Sequence, residues 1–167
     1  TGELGALQSP GKALFLPYLG GERTPLNDSA IRGAFIGLEH ATDRDAMTRA
    51  VLEGVTFALR DCRDALAQTG TKIDTLIAAG GGTRSQYWVE AIATALDTPV
   101  SIPVSGDFGG AFGAARLAQM AATGGGAELA QKPTISRVIE PISALSSSFN
   151  DGFARYKAAA QSIRGLT

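Results

Sequence analysis

Apolar positions along the chain follow two rhythms: short uniform runs that stop at glycine, and longer stretches with a step of three or four residues. Residues 13–19 (ALFLPYL) form a short apolar run holding Pro17, which predicts an edge or terminal strand because proline cannot donate to a sheet ladder. Gly20 and Gly21 end it, residues 22–32 are polar and turn-rich, and residues 34–38 (AFIGL) resume as a second strand, so the two are expected to pair antiparallel. Thr42 with Asp45 has the spacing of a capping box and opens a long helix. Its expected buried stripe is Met47, Val51, Val55, Leu59, Cys62 and Leu66, with Arg49, Glu53, Arg60 and Asp64 outward and Gly70 as the stop.

Residues 75–79 (TLIAA) predict a buried strand leaving into Gly80, Gly81 and Gly82. A second helix is expected over 85–96, burying Trp88, Ile92 and Leu96 and ending before Pro99, followed by a strand at 100–103. A third helix over 109–122 is rich in glycine and alanine, which predicts close approach to a sheet, with Phe112 filling volume. The last helix sets Phe149, Phe153, Tyr156, Ala160 and Ile163 on one stripe. Strands joined by crossover helices imply parallel pairing, hence an α/β layered domain without internal repeats.

Composition narrows the function classes. With 167 residues, 44% hydrophobic and 19% charged, the chain fits one globular domain spanning 1–167. A net charge of −1 with interspersed signs gives no basic face, which argues against nucleic acid or a membrane surface as partner. Cys62 is the single cysteine, so no internal disulfide forms, and no run reaches the roughly 20 apolar residues of a membrane span. A cytoplasmic setting is expected. The first residues carry no signal-peptide pattern and no initiator methionine, which suggests a piece of a longer protein.

The densest chemical signal is AAGGGTRSQYW, residues 78–88, where a glycine cluster leaves a strand and opens a helix. Without side chains, backbone N–H groups and the positive helix end can face an anion or a nucleotide, although a tight packing turn would read the same. It is not a Walker A loop, since no lysine lies between Lys72 and Lys132, nor a G-x-G-x-x-G fingerprint, since Gly82 is followed by Thr83, Arg84 and Ser85. A second glycine turn, SGDFGG at 105–110, is expected beside the first at the sheet edge where α/β ligands bind. Asp107 within it reads as a helix cap or a ribose-binding acid.

Five blocks in order, LPYLGGERTPLND (16–28), RGAFIGLEHAT (32–42), RAVLEGVTFALRD (49–61), GGGTRSQYW (80–88) and GGAFGAARLAQMA (109–121), resemble the second half of FGGY carbohydrate kinases. The first two resemble the xylulokinase branch, with gluconate-type kinases close by. The resemblance implies an actin-like, ribonuclease-H-like α/β domain with a mixed sheet. It implies an ATP site made by Gly80, Gly81, Gly82, Ser85 and Gln86, with Gly81 and Gly82 near the nucleotide and Ser85 or Gln86 near the base. It also implies a sugar substrate, Mg²⁺ with the nucleotide, and a missing N-terminal domain that holds the catalytic aspartate and the first phosphate loop.

No compact acid cluster stands in the sequence to combine a general base with a magnesium-bridged triphosphate, so no catalytic residue is assigned within the chain. Arg23 and Asp107 are candidate cleft residues, Arg23 reading equally as a surface ion-pair partner. His40 has no companion at ligand spacing, so no metal site is expected. Cys62 and Trp88 read as core. Exposed apolar surface left by a missing domain is expected to favour a homodimer. A non-catalytic nucleotide-binding module and a dinucleotide-binding domain are the competing classes.

Overall fold

The computed structural model describes residues 4–104, 109–129 and 132–166. In chain order these form β1 (Leu14–Leu16), β2 (Ala34–Ile36), α1 (Arg44–Gln68), β3 (Leu76–Ile77), α2 (Gln86–Leu96), β4 (Val100–Pro103), α3 (Gly109–Thr123), β5 (Ile135–Ile139) and α4 (Ser146–Ile163). The expected hairpin forms, with β1 antiparallel to β2 and Leu14 opposite Ile36. A second sheet has the order β3-β4-β5, with β3 parallel to β4 across α2 and β4 antiparallel to β5. β5 went unread in the sequence even though ISRVI is rich in β-branched residues.

Helix α1 is the spine. Its N-cap is Asp43, whose carboxylate accepts from the Ala46 N–H at 2.7 Å, one residue later than the expected Thr42. Thr42 instead accepts from the Glu39 N–H at 2.8 Å, holding the preceding loop.

The helix is also rotated from expectation. Its buried residues are Ala50, Leu52, Glu53, Gly54, Thr56, Phe57 and Asp61, while Leu59 and Leu66 are 43% and 47% exposed. Small residues explain the rotation. Gly54 lies so close to β1 that a Cβ there would come within 2.1 Å of the Phe15 carbonyl oxygen. Three residues on, Phe57 enters an aromatic cluster with Phe149 at 6.2 Å, Phe153 at 6.0 Å and Tyr156 at 5.7 Å between centroids. The α4 stripe is therefore as predicted.

Two carboxylates are carried inside with the buried face. Asp61, 5% exposed, is paired with Lys157 Nζ of α4 at 2.6 Å. Glu53, 1% exposed, accepts from the Gly11 N–H at 3.0 Å and the Tyr87 hydroxyl at 3.4 Å. These bonds tie the N-terminal loop, α1 and α2 together. Burial raises the Glu53 carboxyl from 4.5 to about 7 against the opposing pull of the Gly11 bond and Arg49.

Helix α2 is buried on most sides, including Tyr87, Val89, Ala91, Ala93 and Leu96, with its C-cap Asp97 in the left-handed region at φ 45°. Helix α3 differs from expectation, since none of its described residues is buried and Phe112 is 51% exposed. Its start lies close to the segment that follows β3, a Cβ at Gly109 falling 3.0 Å from that of Ala79. Among the described residues no helix is long and apolar enough to cross a membrane.

Two outcomes are expected. In the unfolded chain Glu53 ionises near 4.5, whereas folded it holds its proton to about 7, so the folded state binds more protons between these values. Stability from this group is therefore fully present below 4.5 and falls as pH rises towards 7, by about 3 kcal/mol. Glu53→Gln should flatten that part of the pH profile in thermal unfolding, and identical profiles for the two proteins would contradict it. Gly54→Ala should destabilise by about 2–3 kcal/mol in denaturant titration, because the clash with the Phe15 carbonyl outweighs the gain of about 1 kcal/mol in helix propensity.

Candidate functional site

The glycine turn at residues 80–82 leaves the C-terminal end of β3 and enters a short 3₁₀ turn, Gly81–Arg84, before α2. Gly80 has φ 102°, a conformation that side chains rarely adopt, and no atom would lie within 4 Å of a Cβ there. The turn is closed by Thr83, whose N–H and hydroxyl both donate to the Gly80 carbonyl at 3.1 and 2.8 Å. Ser85 then caps α2, its Oγ accepting from the Trp88 N–H at 3.3 Å.

The three glycines do different things. A Cβ on Gly82 would sit 2.4 Å from the Trp88 ring, so Gly82 is a packing glycine. Trp88 is fixed in turn by its Nε1–H, which donates to Thr56 Oγ1 of α1 at 3.1 Å. Gly81 is open, its nearest neighbour being Arg84 Nη2 at 3.8 Å from a built Cβ. Bare backbone is thus available at Gly80 and Gly81, beside the N-terminus of α2, at the carboxyl end of a parallel strand pair. Gly109 lies against Ala79, which brings the start of α3 close to this turn, while residues 105–108 of the second glycine turn lie outside the described residues. Asp107 lies outside the described residues.

The remaining candidates are less centred on the turn. Ser85 is 8% exposed and is committed to its cap. Gln86 is exposed with both ends of its amide engaged, donating to Glu90 Oε1 at 2.7 Å and accepting from Arg137 at 2.9 Å. Sequence reasoning missed Arg137 because it stands on β5, and missed Thr83 because a hydroxyl inside a glycine run carries no pattern of its own. Arg23 is exposed in a loop closed by paired backbone bonds between Glu22 and Asp28 at 2.8 and 2.7 Å. That loop leans on α1 through the Cys62 thiol, which donates to the Thr24 carbonyl at 3.1 Å. Burial raises the Cys62 thiol, with the Glu22 and Asp61 charges adding to it, so it is a poor nucleophile. His40 is exposed.

A trough of about 730 Å³ adjoins the turn, lined by Gly80, Gly81 and Gly82 and by apolar side chains of α1, β3 and α2. Among the described residues no group of three or more His, Cys, Asp or Glu side chains is placed to hold a metal ion.

Comparison with known proteins identifies the domain. The sequence model of the FGGY family of carbohydrate kinases, C-terminal domain, matches residues 3–122. A xylulose kinase of Escherichia coli (strain K12) is 46% identical over 108 residues, covering 65% of this chain and 22% of that protein. A crystal structure of a xyloylose kinase from Brucella ovis superposes with a TM-score of 0.88 at 53% identity, covering 99% of this chain and 34% of that one. A gluconate kinase from Lactobacillus acidophilus superposes with a TM-score of 0.69 at 29% identity, over 93% of this chain and 33% of that one. The chain therefore spans between a fifth and a third of these relatives. Its fold is the actin-like α/β fold with a mixed sheet that they share. By the family match and the geometry together, the chain belongs to the FGGY family of carbohydrate kinases and carries that family's C-terminal domain.

Proposed function

We propose that this domain is the nucleotide-holding half of an ATP-dependent kinase that converts D-xylulose to D-xylulose 5-phosphate. The observation that carries the reading is the open backbone at Gly80 and Gly81, at the ligand edge of the sheet, in a chain similar to xylulose kinases. A nucleoside approaches these two residues without meeting a side chain, and the N–H groups of the first turn of α2 favour negative charge nearby. Gly82 keeps Trp88 seated, Ser85 holds the helix end, and Gln86 presents its amide on the same side, where the Arg137 bond limits its motion.

The nucleotide fits the residues present. We assign Mg²⁺ to the nucleotide phosphates and to the rest of the enzyme, since this ion is held by phosphates, waters and one or two carboxylates. The catalytic base and the sugar contacts are assigned to the N-terminal domain, and closure of the two halves over the substrates would exclude water as a competing acceptor. We place the reaction in the cytoplasm, as the single cysteine suggests.

Gluconate is the second reading, favoured by the gluconate kinase among the structural neighbours. Steady-state kinetics of the intact enzyme should give the highest kcat/KM with D-xylulose, and a higher value with gluconate or glycerol would reassign the substrate. At the turn, Gly81→Ala fits the open space and should leave Tm unchanged while raising KM for ATP about tenfold, or ~1.4 kcal/mol, with KM for sugar unaltered. Gly82→Ala should instead lower Tm, because its methyl meets the Trp88 ring. Unchanged ATP kinetics in Gly81→Ala would remove the nucleotide from this turn.

A further inference from the structure

Gln86 opens α2 and is exposed at the helix end that follows the glycine turn. Its amide is gripped by two side chains of opposite charge: Nε2 donates to Glu90 Oε1 at 2.7 Å, and Oε1 accepts from Arg137 Nη1 at 2.9 Å. Glu90 stands one helical turn on, on the same face of α2. Arg137 comes from β5, where it is paired with Ile102 of β4. Ile102 is buried against Val89 and Ala93 of α2, and residues paired across strands share a face, so Arg137 stands on the side of the sheet that α2 covers.

These two partners leave the amide one orientation. A guanidinium only donates and an ionised carboxylate only accepts, so turning the amide over would set donor against donor at Arg137 and acceptor against acceptor at Glu90. Held this way, Gln86 keeps one N–H and one oxygen lone pair free, in a fixed order. Purines differ in that order. Adenine carries a donor amino group on C6 and an acceptor at N1, whereas guanine and hypoxanthine carry an acceptor oxygen on C6 and a donor N1–H. An amide free to turn over matches both patterns, and a locked one matches a single pattern.

We propose that Arg137 and Glu90, acting through Gln86, make the nucleotide site select a 6-aminopurine over a 6-oxopurine.

The inference rests on the reading of the glycine turn as the nucleotide site, and in it Arg137 is a positioning residue. Stability does not account for the grip, because Gln86 and Arg137 are exposed and contacts between exposed polar side chains contribute little to folding. What the grip does fix is the direction of a donor and an acceptor at the helix end that adjoins the bare backbone of Gly80 and Gly81.

The test is kcat/KM of the intact enzyme for ATP against inosine 5′-triphosphate at saturating sugar, since the two nucleotides differ at C6 and N1 alone. The unaltered enzyme should favour ATP by at least about tenfold, and Arg137→Ala should lower that ratio by about tenfold, through KM rather than kcat, with Tm unchanged. Arg137→Lys keeps a cationic donor and should restore most of the preference. Arg137→Glu combined with Glu90→Arg reverses the lock and should bring the ratio below that of Arg137→Ala. An unchanged ratio in Arg137→Ala, while Gly81→Ala still raises KM for ATP, would overturn the proposal and leave the reading of the turn intact. Equal losses with both nucleotides, or an unaltered enzyme that does not discriminate between them, would overturn it too. Unchanged ATP kinetics in Gly81→Ala would remove the proposal together with the reading on which it rests.

Discussion

The contact on which the remainder of the domain turns is the approach of α1 to β1 at Gly54, where helix backbone and strand carbonyl leave no room for a side chain. That approach sets the rotation of a 25-residue helix, and rotation decides what each of its faces must do. A little over two helical turns hold four consequences. Glu53 is sent inward to the Gly11 amide and Tyr87, Thr56 to the Trp88 indole, Phe57 to the rings of α4, and Asp61 to Lys157. The link from Thr56 through Trp88 to Gly82 is the one that reaches the glycine turn, so the geometry of that turn is inherited from a contact in another sheet.

Burying Glu53 is a cost that the fold accepts for cross-linking. A carboxyl with two donors and nearby Arg49 is still under-solvated, which is why its proton is held to about 7. An apolar residue of similar size would fill the space without satisfying the Gly11 amide or the Tyr87 hydroxyl. The carboxyl is thus a polar joint between the N-terminal loop, α1 and α2.

Much of this was legible in the residues. Strand β4 has its expected bounds, α2 runs close to its expected bounds and stops before Pro99, α4 carries its expected stripe, and the glycine turn does leave a strand and open a helix. The face of α1 was not legible, because hydrophobic periodicity weights Leu59 and Leu66 above Ala50, Gly54 and Thr56, whereas closeness of approach rewards small residues. The same weighting set Glu53 outward, since a lone carboxylate looks solvated until its donors, 34 and 42 residues away, are known. Within the site, the resemblance set Gly81 and Gly82 together near the nucleotide, whereas the structure pairs Gly81 with Gly80 as open backbone. Only the position of the Trp88 ring separates Gly82, which packs, from Gly80 and Gly81, which stay bare.

The misjudged apolar stripe is itself informative. Val55, Leu59, Cys62 and Leu66 do form a helical stripe of the kind that covers a sheet, and they do line one surface together with β3. The expected burial of this stripe is not what the described residues show, because they bury the opposite face of the helix instead. A helix that is apolar on two sides belongs between two layers. In this domain the layer on one side is β1 with α4, and the layer on the other begins with β3. The glycine turn follows β3 within a few residues, so the strand that borders this second apolar face of α1 also sets the base of the turn.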